Sequence, residues 1–144
     1  MGRRDRKIET LSGLALFAGC DDRELAGIAK LVDEADVPAG HVLIQEGSVS
    51  CREAFIIIDG TASVTVRDVQ VAIVGPGGIT GEMGVIDHEC RSATVRAMTD
   101  MKLLVIDARS LSALIEKHGV GWKLLREMGQ RVRALESEAA PALP

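Results

Sequence analysis

The chain has 144 residues, room for one ordinary domain, and its 47% hydrophobic and 26% charged residues are the balance of a folded protein, not of a disordered tail. Aromatic residues are only 2% of the chain (Phe17, Phe55 and Trp122, with no Tyr), which argues against a surface that stacks single-stranded bases. Seventeen basic residues against 21 acidic ones leave a formal charge of −4, without the basic excess that duplex binding draws on.

Residues 8–32 read as a helical start. Ile8, Leu11, Leu14, Ala15 and Phe17 are spaced for a short amphipathic helix over 8–17. Asp21 is placed to cap a second helix, with Glu24 three residues on as in a capping box. Leu25, Ile28, Ala29 and Val32 continue its apolar face, and Pro38 and Gly40 end any helix. The texture then changes over 33–107. Short β-branched runs at 42–44, 55–58, 63–66, 69–74, 91–98 and 101–106 are separated by Gly, Pro and Asp, including the rigid Gly75-Pro76-Gly77-Gly78 turn. Such punctuation predicts an antiparallel sandwich or roll. Helical spacing returns over 108–138. Leu111, Leu114 and Ile115 share one face of a helix over 110–118, and Gly119 is its predicted terminator. A second helix runs from 120 to about 138. The Pro-containing tail 139–144 is expected to fray.

Cys20, Cys51 and Cys90 are odd in number and contain no C-x-x-C pair, so neither a disulfide framework nor a zinc site is expected, and the natural compartment is a reducing cytoplasm. No apolar run reaches membrane-spanning length. His41, His88 and His118 share no metal-ligand spacing. Neither a Ser-His-Asp nor a Cys-His arrangement stands out, so the chain is not expected to be an enzyme, and no cofactor or metal is expected.

The segment that carries chemistry joins two strand-like runs. Gly81-Glu82 precedes a stretch, 83–86, long enough for one or two helical turns. Unpaired N–H groups at such a helix start make an anion site, and Gly81 and Gly84 let an anion come close to the backbone. Arg91 opens the next strand, where its guanidinium can fork onto phosphate oxygens. Glu82 beside an anion site needs hydroxyl donors, such as those of a sugar, to offset the repulsion.

This segment resembles the phosphate-binding cassette of cyclic nucleotide-binding domains. The family pattern is Gly-Glu-x-small-apolar, a short variable stretch, then Arg-small-Ala-Thr-Val. The chain reads Gly81-Glu82-Met83-Gly84-Val85-Ile86 and Arg91-Ser92-Ala93-Thr94-Val95. The likeness extends to Leu16-Phe17-Ala18-Gly19, to the stretch from Gly40 to Gly47, and to Phe55-Ile56-Ile57-Ile58-Asp59-Gly60, over roughly residues 10–135.

The resemblance implies a β-roll, jelly-roll-like and barrel-forming, with N-terminal helices and two C-terminal helices, and with the cassette at 81–95. It implies that Glu82 accepts the ribose 2′-hydroxyl and that Arg91 pairs with the exocyclic phosphate. Backbone N–H groups of Met83, Gly84 and Val85, and of Ser92 or Ala93, would complete the cradle begun at Gly81. Val74, Ile79 and Val95 would line the base pocket. Arg131, Arg133 or Leu135 of the last helix would close over the base. One departure stands out: family members often have an aromatic residue before Gly-Glu, and this chain has Ile79-Thr80.

The ligand implied is a cyclic purine nucleotide, cAMP ahead of cGMP, sensed by a regulatory domain. The alternative is a degenerate domain with an empty pocket that serves protein interaction. Leu125, Met128, Val132 and Leu135 are spaced 3, 4, 3, as in a helix seam, so homodimerisation through the last helix stands beside packing of that face on the roll. No helix-turn-helix follows that helix in the chain. The expected partners are therefore the nucleotide and a second subunit or effector protein, with no DNA bound by the chain itself and no membrane.

Overall fold

A computed structural model describes residues 3–48, 53–81 and 93–117, together with 121–122, 125–126 and 129–130. The first helix, α1 (Arg3–Ser12), starts earlier than the apolar spacing suggests and stops at Gly13. Near its end Thr10 Oγ1 donates to the Arg6 carbonyl at 2.9 Å and Ser12 Oγ to the Glu9 carbonyl at 2.7 Å. Side-chain hydroxyls that bond to nearby carbonyls weaken a helix, and a glycine follows here. The predicted helix over 8–17 is therefore two pieces, α1 and a 3-10 turn at Ala15–Phe17.

In α2 (Asp22–Ala29) the capping box forms in full. The Glu24 N–H donates to Asp21 Oδ1 at 2.8 Å, and the Asp21 N–H donates to Glu24 Oε1 at 3.2 Å.

Eight strands follow: β1 (Asp33–Val37), β2 (Val42–Ile44), β3 (Glu53–Asp59), β4 (Ala62–Val66), β5 (Val69–Val74), β6 (Ile79–Thr80), β7 (Thr94–Ala97) and β8 (Met101–Asp107). They form two antiparallel four-stranded sheets, in the orders β1-β8-β3-β6 and β2-β7-β4-β5. Among the described residues no strand pairing joins one sheet to the other, so the roll is two layers, not a closed barrel.

Two strands escape a reading by pattern. β1 is Asp-Glu-Ala-Asp-Val, too charged to look like a strand, yet it pairs residue for residue with β8 from Asp33↔Val105 to Val37↔Met101. It lies on an edge, where charged side chains reach water and discourage pairing with other chains. β6 has two residues, too few to show any period.

β3 and β8 are buried on both faces because they lie between two cores. Ala54, Ile56, Leu104 and Ile106 point toward the helices and pack with Leu11, Phe17, Leu25, Ile28, Leu111 and Leu114. Phe55, Ile57, Met101 and Leu103 point the other way and pack with Leu43, Ile44, Ala62, Val74, Val95 and Ala97 of the second sheet. Each fully buried Leu, Ile or Phe contributes about 1.5–3 kcal/mol. This explains why the run Phe55–Ile58 is apolar without a break.

The β3–β4 turn relies on Gly60, at φ 93°. A Cβ there would lie 2.5 Å from the Asp100 carbonyl oxygen, so no larger residue fits.

The Gly75–Gly78 turn is tied to β3. The Gly77 N–H donates to the Ile57 carbonyl at 2.8 Å, and the Ile57 N–H donates to the Gly78 carbonyl at 2.9 Å. These bonds deliver β6 against β3 in one register, Ile79 opposite Ile56 and Thr80 opposite Phe55.

After β8, α3 (Ala108–Lys117) packs Leu111 and Leu114 on the helical core. Asp107 caps it by accepting from the Ser110 N–H at 2.8 Å. That bond holds the Asp107 carboxyl below the usual carboxylate range, with smaller help from the Ser110 hydroxyl and Arg109 and against a desolvation cost. Residues 121–122, 125–126 and 129–130 are helical, as the predicted second helix requires, and Trp122 and Leu125 are exposed. Gly119, Met128, Val132 and Leu135 lie outside the described residues. Among the described residues no helix is long and apolar enough to cross a membrane.

Candidate functional site

Of the predicted cassette, 81–95, the described residues are Gly81 at one end and Ala93, Thr94 and Val95 at the other. Gly81 leaves β6 with φ at 86°, a left-handed conformation that favours glycine. Ala93 leads directly into β7. Between them, Glu82, Met83, Gly84, Val85, Arg91 and Ser92 lie outside the described residues, as do Arg131 and Arg133 of the predicted lid.

The three predicted base-pocket residues do not share one environment. Val74 and Val95 sit together in the core between the sheets. They flank β4, with Val74 paired to Ala62 and Val95 to Val64. Ile79 faces away from them, into the helical core beside Ile56. Directly opposite residues of an antiparallel pair project to the same side. The residue of β6 that faces the roll interior is therefore Thr80, across from Phe55. Thr80 is not among the residues that the family resemblance places in the site. The clue present in the sequence is its place next to Gly81, but two residues do not say which of Ile79 and Thr80 points inward.

A polar relay braces the exit from the cassette. The Glu46 N–H donates to Thr94 Oγ1 at 3.0 Å, and Gln45 Nε2 donates to the same oxygen at 3.4 Å. The Glu46 carboxylate in turn accepts from the Arg67 N–H at 3.0 Å. Arg67 and Asp68 form the tip of the β4–β5 hairpin with φ of 49° and 66°, as a tight two-residue turn requires. One glutamate thus joins the end of β2, the first residue of β7 and the hairpin tip.

Two surface clefts lie elsewhere. One, of about 450 Å³, is bordered by Asp36, Asp59, Asp100 and Lys102. The other, of about 620 Å³ between α1 and β1, is bordered by Arg6, Lys7, Asp33, Glu34 and Lys102. Neither touches Gly81, Ala93, Val74 or Val95. Among the described residues no group of three or more His, Cys, Asp or Glu is placed to hold a metal ion.

The family model of the cyclic nucleotide-binding domain matches residues 34–118, from β1 to the end of α3. The chain belongs to the cyclic nucleotide-binding domain family. The cAMP-activated, CRP-like global transcriptional regulator of Mycobacterium tuberculosis is 25% identical over 138 residues, which cover 92% of this chain and 61% of the regulator. A cAMP-bound structure of PfPKA-R shares the fold with a TM-score of 0.82 at 21% identity, over 97% of this chain and 49% of that one. A cAMP-binding acyltransferase from Mycobacterium smegmatis superposes with a TM-score of 0.78 at 25% identity, over 91% of this chain and 42% of the other. The cyclic nucleotide-binding domain described here thus corresponds to part of longer relatives.

Proposed function

We propose that the domain binds a cyclic purine nucleotide, cAMP ahead of cGMP, and acts as a ligand-sensing regulatory unit. The observation that carries this reading is the extent of the family match. It spans residues 34–118, a range that contains both halves of the motif, Gly81-Glu82 and Arg91-Ser92-Ala93-Thr94-Val95. Neither the acid nor the arginine is replaced. The left-handed Gly81 and the shared environment of Val74 and Val95 support it from the structural side.

In this reading Arg91 neutralises the cyclic phosphate while the backbone around Met83–Val85 and Ala93 donates to its oxygens. Glu82 accepts the ribose 2′-hydroxyl. The base lies in the roll interior against Val74 and Val95, and a residue of the last helix, Arg131 or Arg133, covers it. The role is binding, not catalysis. Capture of the nucleotide shifts the position of the C-terminal helices only as far as its affinity differs between their two arrangements. A second copy of the chain or an effector protein reads that shift.

Isothermal titration of the purified domain with cAMP and with cGMP tests the proposal. Saturable binding with the tighter constant for cAMP is expected. Absence of heat with both nucleotides at millimolar concentration would favour the degenerate, interaction-only reading.

A further inference from the structure

Thr80 is the one polar residue that is buried among the described residues, at 5% exposure. It lies opposite Phe55, so its side chain points into the apolar interior of the roll, on the side of Val74 and Val95. None of the side-chain hydrogen bonds among the described residues engages its hydroxyl. A buried hydroxyl without a partner is costly, and native interiors seldom keep one without a use. The next residue is the left-handed Gly81, where the cassette begins.

We infer that Thr80 is a specificity-determining residue whose hydroxyl hydrogen-bonds a polar atom of the purine ring held in the roll interior. The inference rests on the cyclic nucleotide reading above and adds a contact to it. Thr80 faces the interior on the side of Val74 and Val95, which are proposed to meet the base, so the base is the part of the ligand assigned to its hydroxyl. Val74 and Val95 supply shape and apolar surface but no polar atom. Thr80 adds one donor and an acceptor at a fixed place, and with them a preference among rings that shape alone does not confer. Ile79, which adjoins it in sequence, is turned toward the helices and contributes nothing to that contact.

The test compares wild type, Thr80→Val and Thr80→Ser by isothermal titration with cAMP, with a thermal melt of each ligand-free protein. Valine keeps the branched shape and removes the hydroxyl; serine keeps the hydroxyl. Thr80→Val is expected to melt no lower than wild type, since among the described residues the hydroxyl it removes has no partner. Its affinity is expected to fall about fivefold to a hundredfold, the effect of leaving a buried partner unpaired. Thr80→Ser is expected to stay within about threefold of wild type. Deaza analogues of cAMP, each lacking one ring nitrogen, supply a second readout. The analogue missing the partner atom should lose affinity for wild type but not for Thr80→Val, a coupling that a purely structural role would not produce.

Equal affinity of wild type and Thr80→Val, equal weakening by valine and serine, or no coupling with any ring analogue would each overturn the inference. If wild type itself binds neither cAMP nor cGMP, the nucleotide reading fails first and this contact with it. The wild-type titration alone separates the two failures.

Discussion

Glu46 and Thr94 are joined across 48 residues of sequence: the Glu46 N–H donates to Thr94 Oγ1 at 3.0 Å, inside the second half of the cassette motif. The Glu46 carboxylate simultaneously holds the Arg67 N–H at the β4–β5 hairpin tip. The strand that leaves the cassette is thereby fixed to a loop and a hairpin that local sequence does not connect to it.

Thr94→Val removes the acceptor and leaves the Glu46 N–H without its bond. The expected loss is about 1–3 kcal/mol of folding stability, read by urea denaturation. Because Thr94 follows Ala93 directly, affinity for cAMP should fall as well, whereas a distant surface substitution such as Lys30→Ala should change neither. A stability unchanged within about 0.3 kcal/mol would show that the relay contributes nothing.

Arg91→Ala removes the proposed charge partner of the phosphate. Truncating a buried, hydrogen-bonded charge pair costs about 2–5 kcal/mol, so cAMP affinity should drop at least about 30-fold. Titration calorimetry measures it directly. An unchanged dissociation constant would remove Arg91 from the site.

Glu82 is proposed to read the ribose. Glu82→Gln retains an acceptor and should weaken binding less than Arg91→Ala. For the wild-type protein, 2′-deoxy-cAMP should bind about fivefold to a hundredfold more weakly than cAMP, since it leaves a buried acceptor unpaired. Indifference to the missing hydroxyl would show that Glu82 does not contact it.

Asp107 offers a test by pH. The Ser110 N–H that it accepts lowers its carboxyl pKa in the folded state. A depressed folded pKa means that the charged carboxylate favours folding above the ordinary carboxylate range. That contribution disappears as pH falls through the folded value. Asp107→Ala should therefore cost about 1 kcal/mol at neutral pH, as loss of a helix cap does. The gap between wild type and variant should close in acid. Denaturation curves at neutral and acidic pH check both halves. Since the carboxylate is exposed, added salt should narrow the charge-dependent part of the gap.

Features set by near neighbours were legible in the sequence. The Asp21–Glu24 capping box needs only residues three apart, and both of its bonds are present. The runs behind β3 and β8 carry their own pattern of burial, and β5 spans the residues its alternation predicts, 69–74, although only Val74 of that strand is buried. The Gly81-Glu82 and Arg91–Val95 motif halves are also visible in the chain, and the phosphate cradle proposed for them is what the Arg91 and Glu82 variants test.

Other features required the tertiary structure. β1 is a strand because β8 lies beside it and water covers its charges, not because Asp33–Val37 prefers to be one. The two residues of β6 take their facing from Phe55 and Ile56, which turns Thr80 inward and Ile79 toward the helices. No local pattern decides between those two, since a strand shifted by one residue exchanges every side chain between its faces. The bonds that clamp Gly77 and Gly78 to Ile57, together with the pairing of β6 on β3, set that register.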